Sequence, residues 1–260
     1  MYHKRDFTLA IAGKVEVGPY LFQHMERFAR TVHEINNLYR NHPSKSRIRI
    51  LDFGSLAGEL GIALKTFGYD VHCIDIEEVI NEYKKHYERN NLKVKFLSKG
   101  YQLPYENDYF DCIVFSEVLE HVYDSPLEIL KEFKRILHLD GHLLLTTPNV
   151  MRIENKIKFL LNINIYQDIY RYTYSPRYAL HFREYSKRDL KILLEDYLGY
   201  SIVRFTMFDY AGGRTSTRRF IQRCLHLINI LLPMYKGCMI AIARNGPDKQ
   251  QPAVINNQSM

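Results

Sequence analysis

Two acidic residues stand where two apolar runs end. The segment IRILDFGSLAGELGIAL carries Asp52 late in an apolar run, with Gly54 and Gly58 flanking the turn behind it. Twenty-one residues past Gly54, the run DVHCID closes on Asp75. Glycine admits positive φ and lets a ligand come close to the backbone. A helix opening behind such a turn offers unpaired N–H groups to a polar or anionic group. The spacing is G-x-x-x-G rather than the G-x-G-x-x-G of a dinucleotide site. An acid two residues before the first glycine suits a cationic group such as an ammonium better than a pyrophosphate. Asp75 stands where a strand-end acid accepts hydrogen bonds from ribose hydroxyls. One strand-end acid is most often merely solvated. Two, each at its own strand end, point to a nucleoside with a charged, amino-acid-like arm.

Other chemistries lack their residues. EVLEH (117–121) is one residue short of H-E-x-x-H and has no first histidine, and no His/Asp/Glu cluster shows metal-ligand spacing, so no metal is expected. There is no G-x-S-x-G elbow and no Walker A loop.

The acids need strands to hold them. Apolar runs at 48–53, 70–75, 93–97, 111–116 and 142–147 read as strands, the last after an Asp140-Gly141 turn. Helical patterns at 59–67, 77–89 and 125–138 separate them. Crossovers of this kind make a mostly parallel sheet of the doubly wound α/β class, with its ligand site outside the carboxyl ends of the strands. Upstream, Leu21, Met25, Phe28, Val32, Ile35 and Leu38 recur at helical spacing over 20–41. Downstream, Ser186 caps a helix that Gly199 ends, strands follow at 200–208 and 238–243, and a helix is expected over 218–232. Residues 1–44 form a helical cap and 45–245 one domain with inserts near 151–180 and 210–236. The tail 246–260 has no periodicity and is expected to be disordered.

Composition bounds the partners. The net charge of +7 divides into +5 over residues 1–50, −7 over 51–150 and +9 over 151–260. The acidic middle argues against nucleic acid, although a basic last third suits an anionic small or lipid-linked molecule. Residues 224–243 approach a membrane span in length, but His226, Asn229, Pro233 and Lys236 interrupt them, so no span is expected. The basic start and apolar end of 218–232 fit contact with a membrane surface. Four scattered cysteines and no secretory leader point to a reducing cytoplasm.

LDFGSLAG, VHCIDIEE and above all the stretch from LPYENDYFDCIVFSEVLEH to DGHLLLTTPN resemble the class I S-adenosylmethionine-dependent methyltransferases, in their small-molecule (type 11/23-like) branch. The resemblance implies a Rossmann-like seven-stranded sheet with the last strand antiparallel, and S-adenosylmethionine as cofactor. It implies that Asp52, Gly54 and Gly58 line the methionine part, Asp75 holds the ribose, Ile76 packs on adenine, and Ser116 and Glu117 face the methionine moiety. His121 would border the methyl-transfer cleft. There an imidazole of ordinary pKa near 6.5 could take a hydroxyl proton, or else shape the loop. His181 and Glu184 are weaker candidates. The chain departs from the pattern at Leu56, where a third glycine is usual, and at Lys99, where an acid is common, with Gln102 the nearest polar substitute. The turn is expected to rearrange around Leu56, unless that side chain packs beneath it.

The inserts are rich in Tyr and Arg (Tyr166, Tyr170, Arg171, Tyr172, Tyr174, Arg177 and Tyr178, then Arg214, Arg218, Arg219 and Arg223) and would form the acceptor's walls. They favour a glycan, a lipid-linked sugar or another small metabolite, methylated at a hydroxyl. Alternatives are a degenerate, non-catalytic relative, or a methyltransferase of tRNA or protein.

Overall fold

In the computed structural model, residues 2–15, 18–97, 100–209 and 229–247 are described. Helices α1 (Tyr2–Ile11) and α2 (Pro19–Leu38) lead into β1 (Arg49–Phe53), α3 (Glu59–Thr66), β2 (Asp70–Asp75), α4 (Glu77–Arg89) and β3 (Lys93–Phe96). Next come β4 (Phe110–Ser116), α5 (Pro126–Ile136) and β5 (Leu137–Pro148). After short helices α6 (Ile153–Leu160), α7 (Ile169–Tyr174) and α8 (Lys187–Lys191), strands β6 (Ser201–Phe208) and β7 (Cys238–Arg244) complete one sheet. Its order is β3-β2-β1-β4-β5-β7-β6, with β7 antiparallel to both neighbours and the other pairings parallel. The expected doubly wound, seven-stranded architecture is present.

Strand residues alternate between two buried layers, as a sheet covered on both faces requires. Ile50, Cys112, Val114, Leu144 and Ile242 face the layer that contains α1, α2, α3 and Tyr87 of α4. Leu51, Phe53, Ile113, Phe115 and Leu145 face α5 and the segment from Leu190 to Tyr200. The apolar stripe of α2 buries Leu21, Phe28, Val32 and Ile35, and Phe28 stacks on Phe7 of α1 with ring centroids 5.7 Å apart.

Three local details differ from expectation. Asp140-Gly141 makes no hairpin: α5 runs straight into β5, and Asp140 sits inside that strand at φ 67°. The β4–β5 register shifts between Phe110 and Cys112, and a Cβ at Gly141 would lie 2.9 Å from the His138 carbonyl oxygen. The dipeptide therefore serves a bulge, which needs the same conformational freedom as a turn. Second, the helix capped by Ser186, through a capping box with Asp189, widens into a π-helix over Ile192–Tyr197. Third, the helical spacing marked one helix, over 20–41, and a second, α1, forms ahead of it and packs on α2 through Phe7 and Phe28. Most of the expected helix at 218–232 and nearly all of the 246–260 tail lie outside the described residues, as do Lys99, Arg214, Arg218, Arg219 and Arg223. No helix among the described residues is long and apolar enough to cross a membrane, and 238–244 is a strand.

Candidate active site

The carboxyl ends of β1, β2 and β4 open into a cleft of about 1870 Å³. Pockets for one drug-sized ligand run to about 300–1,000 Å³, so two small molecules fit side by side. Asp52, Gly54, Asp75, Ile76, Ser116, Glu117 and His121 all line it. Gly58 is not on its wall. It caps α3 at φ 80°, and a Cβ there would come within 2.8 Å of Leu92 and 3.1 Å of Tyr87. Its missing side chain serves the packing of α3 against α4. Gly54, at φ 75°, has a similar constraint: a Cβ would meet Val118 Cγ2 at 2.3 Å, so this glycine lets the EVLEH loop close over the turn.

The turn itself is fastened through Leu56. Leu56 lies at φ 48°, half-buried on the cleft wall rather than beneath the turn. Its N–H donates to Asp75 Oδ2 at 2.8 Å, and the Ile76 N–H donates to Asp75 Oδ1 at 2.8 Å. Tyr87 Oη donates to the Leu56 carbonyl. The left-handed region costs a non-glycine residue about 1–2 kcal/mol, whereas a glycine there forfeits about 0.5–1 kcal/mol of chain entropy. Leu56→Gly therefore keeps stability within about 1 kcal/mol of wild type by these offsets, with cofactor affinity equal or tighter. Chemical denaturation beside calorimetric titration checks this. A stability loss in the range of a buried-leucine truncation, about 2–5 kcal/mol, with no gain in affinity would put Leu56 in the core.

Asp52 is 2% exposed, and its Oδ2 has no hydrogen-bond partner among the described residues. Burial, reinforced by the nearby Asp75 and Glu59 carboxylates, pushes its pKa up to about 7, against the pull of the Gly61 N–H and Arg27. Burial also raises Asp75, partly offset by the Leu56 and Ile76 N–H groups. A buried carboxylate oxygen without a partner is costly, and a cationic group is what would relieve it.

The far end of the cleft is built from β4, a 3-10 turn over Leu119–His121, and the segment around 180–184. Glu117 sits at φ 55°, an unusual conformation of the kind that clusters at functional sites. Its Oε1 accepts from Thr146 at 3.1 Å, and its Oε2 lies 3.5 Å from Arg27 of α2, which is 3% exposed. Ser116 Oγ is 2.8 Å from Thr146 Oγ1. His121 Nδ1 is 2.9 Å from the Leu180 carbonyl oxygen, which can only accept, so that nitrogen carries the proton. Burial, then the neighbouring His181, lowers the His121 pKa to about 4. The ring is thus neutral at pH 7, less basic than the ordinary histidine expected from sequence. Burial pushes Glu184 up, yet hydrogen bonds from His181 and Arg152 outweigh it and hold its carboxyl at about 2.

Of the expected acceptor walls, Arg171, Arg177 and Tyr178 line the cleft, together with Arg152, Lys158 and Lys236. Tyr166, Tyr170, Tyr172 and Tyr174 do not; they are exposed. Sequence reasoning missed the contribution of α2, whose Tyr20, His24 and Arg27 form one wall. No motif marks these residues, although an arginine and a histidine beside an apolar stripe are the available signal.

Residues 22–204 match the family described as a methyltransferase domain. The chain belongs to that family. It is a class I S-adenosylmethionine-dependent methyltransferase of the type 11/23-like branch, and S-adenosylmethionine is its cofactor. The methyltransferase is 28% identical over 111 residues to a ubiquinone biosynthesis O-methyltransferase of Rickettsia akari. It is likewise 28% identical over 124 residues to that of Rickettsia felis. These matches span 42–47% of this chain and 43–47% of the relatives, so the methyltransferase covers less than half the length of either. A SAM-dependent methyltransferase from Archaeoglobus fulgidus superposes with a TM-score of 0.52 at 20% identity, over 87% of this chain and 100% of that one. One from Methanosarcina mazei gives 0.55 at 18%, over 81% and 98%. At such identities the likeness to these structures is one of fold.

Proposed function

We propose that this methyltransferase acts on a small-molecule hydroxyl, on a glycan or lipid-linked sugar of anionic character. The observation that carries the reading is the buried Asp52 carboxylate beside Asp75, at the head of a cleft with room for donor and acceptor. When bound, S-adenosylmethionine would supply the methyl as an electrophile on a sulfonium. Asp52, with Ser116 and Glu117, receives the cationic methionine arm. Asp75 turns its remaining lone pairs to the ribose, and Ile76 packs on the adenine. Gly54 lets the EVLEH loop approach, and Gly58 keeps α3 seated on α4. His121, at the acceptor end, handles the proton that the hydroxyl loses.

Lys158, Arg171, Arg177 and Lys236 on the cleft wall support an anionic acceptor. Phe159, Leu160, Ile163 and Ile169 of α6, α7 and their connection are more than half exposed, which supports a lipid-linked one at a membrane surface. The O-methyltransferase names of the curated relatives lean towards oxygen as the methylated atom. A reducing cytoplasm remains the compartment we propose.

S-adenosylmethionine and S-adenosylhomocysteine should raise the melting temperature, and NAD should not. Asp75→Ala should weaken S-adenosylmethionine at least about tenfold, since charged hydrogen bonds are worth about 1.5–3 kcal/mol each. Calorimetric titration of both proteins decides. Equal dissociation constants with intact folding would remove the ribose assignment.

A further inference from the structure

Glu120, His121 and His181 each offer one ligand atom, and these atoms lie within 4.8 Å of one another. We propose that they form a divalent-cation site at the acceptor end of the cleft, suited to a first-row transition ion such as Mn²⁺ or Zn²⁺. The site's existence is independent of the methyl-transfer reading, while its role rests on that reading.

Both imidazoles are held as metal ligands are held. A metal-bound histidine commonly ties its remote N–H to a carbonyl or a carboxylate, which fixes the ring and its tautomer. His121 Nδ1 donates to the Leu180 carbonyl at 2.9 Å, and His181 Nδ1 lies 3.5 Å from Glu184 Oε1. Glu184 is itself fixed by Arg152, with one contact at 3.0 Å. With both Nδ1 atoms engaged, Nε2 is the lone pair left on each ring. The two rings are 4.8 Å apart and nearly perpendicular.

The carboxylate completes the argument. Glu120 is 1% exposed, and its Oε2 accepts from Thr147 at 2.9 Å. Its Oε1 is buried with no partner among the described residues. The Glu120 carbonyl accepts the Phe182 N–H at 2.8 Å, so the backbone ties the two segments that carry the ligands. Bonds of about 2.0–2.2 Å place donors about 3–4 Å apart around a cation, so the three ligand atoms would draw together on binding. Two imidazoles and one carboxylate suit Zn²⁺ or Mn²⁺ and leave positions open. With an ion bound, His121 would act as a ligand instead of taking the proton itself: an acceptor hydroxyl at an open position would be polarised and give its proton to water. Its oxygen would then bond to the methyl carbon as the carbon–sulfur pair returns to sulfur.

The test is direct metal binding. The full chain, stripped with EDTA, is titrated with Mn²⁺ by electron paramagnetic resonance and with Co²⁺ by its visible absorption, and S-adenosylmethionine is titrated in parallel. We expect one ion per chain, and a loss of at least about 100-fold in affinity for His181→Ala and Glu120→Gln. Glu184→Gln, which loosens His181 without removing a ligand, should cost about 10–100-fold. S-adenosylmethionine affinity should be unchanged in all three. His181→Gln serves if the alanine variant melts early. Wild type that binds S-adenosylmethionine but no metal up to millimolar concentration overturns the site and returns His121 to direct proton transfer. Metal binding equal in wild type and His181→Ala overturns it as well. Metal bound as expected without any S-adenosylmethionine affinity would keep the site and discard the methyl-transfer role.

Discussion

Replacing His121 by alanine lowers methyl transfer about 10²–10⁴-fold, the usual contribution of a positioned acid–base group, and leaves S-adenosylmethionine binding intact. The separation follows from geometry. His121 belongs to the 3-10 turn after β4, whereas Asp52 and Asp75 sit at the ends of β1 and β2. The measurement is transfer of labelled methyl to anionic glycans and lipid-linked sugars, with bulk tRNA and protein as controls, beside calorimetry for the cofactor. His121 also ties down Leu180 through Nδ1, so a melting curve accompanies the assay. A variant that keeps near wild-type turnover would leave the residue with that structural tie alone. If the proton passes directly to the imidazole, wild-type activity is indifferent to EDTA. If a cation polarises the hydroxyl, EDTA reproduces much of the His121→Ala loss, and added Mn²⁺ or Zn²⁺ restores the wild type but not the variant. Methyl incorporated into tRNA or protein and into no small acceptor would overturn the substrate class.

The second large effect belongs to Asp52. Its carboxyl titrates at about 7 in the folded chain against an ordinary 3.8. Between these values the folded protein holds a proton that the unfolded chain has released, so this group's contribution to stability falls as pH rises from about 4 to 7. Above 7 the buried charge persists and the penalty is fully present. At about 1.4 kcal/mol per pH unit, that penalty is of order 4 kcal/mol. Asp52→Asn, neutral at every pH, is therefore expected to match wild type near pH 4 and to exceed its stability by a few kcal/mol at pH 8. Taking the difference between the two proteins removes the opposite pH dependence of His24, whose pKa burial lowers to about 4. The same variant should bind S-adenosylmethionine at least about tenfold more weakly at pH 8, because the buried charge is what meets the cationic arm. Urea unfolding at pH 4, 6 and 8 provides the stability half. A difference that does not change with pH would mean that Asp52 is ionised normally. A stabilised variant with unchanged affinity would send the cationic arm elsewhere.

These two residues also show where sequence reading succeeds and fails. Asp52 was legible because the strand pattern is local. A run of β-branched and aliphatic residues ending in an acid, then glycines, fixes where the side chain emerges, and β2 repeats the device with Asp75. The boundaries of β2 and α4 match the structure for the same reason, since periodicity and a following helical charge pattern are set by neighbours in the chain. Gly58 shows the limit of such reading, because glycine records only a conformational need. Here the need is set by Leu92 and Tyr87, and nothing in G-x-x-x-G distinguishes a neighbouring side chain from a ligand. The Asp140-Gly141 pair misled in the same way, since bulge and turn make one demand on the backbone.

By itself, then, the sequence determined the class of fold, the order of most elements, the two acids at adjacent strand ends and the family. All of these are carried by short-range periodicity and contiguous motifs. Only the tertiary structure decided what the acids and histidines meet. The pKa of Asp52 depends on carboxylates from β2 and α3, and Arg27 reaches Glu117 from a helix 90 residues earlier. His121 faces His181 across a segment whose path no local pattern specifies. Burial, charge coupling and the convergence of ligand atoms are sums over neighbours in space, and the sheet's crossovers bring those neighbours together from stretches that carry no mark of one another in the chain.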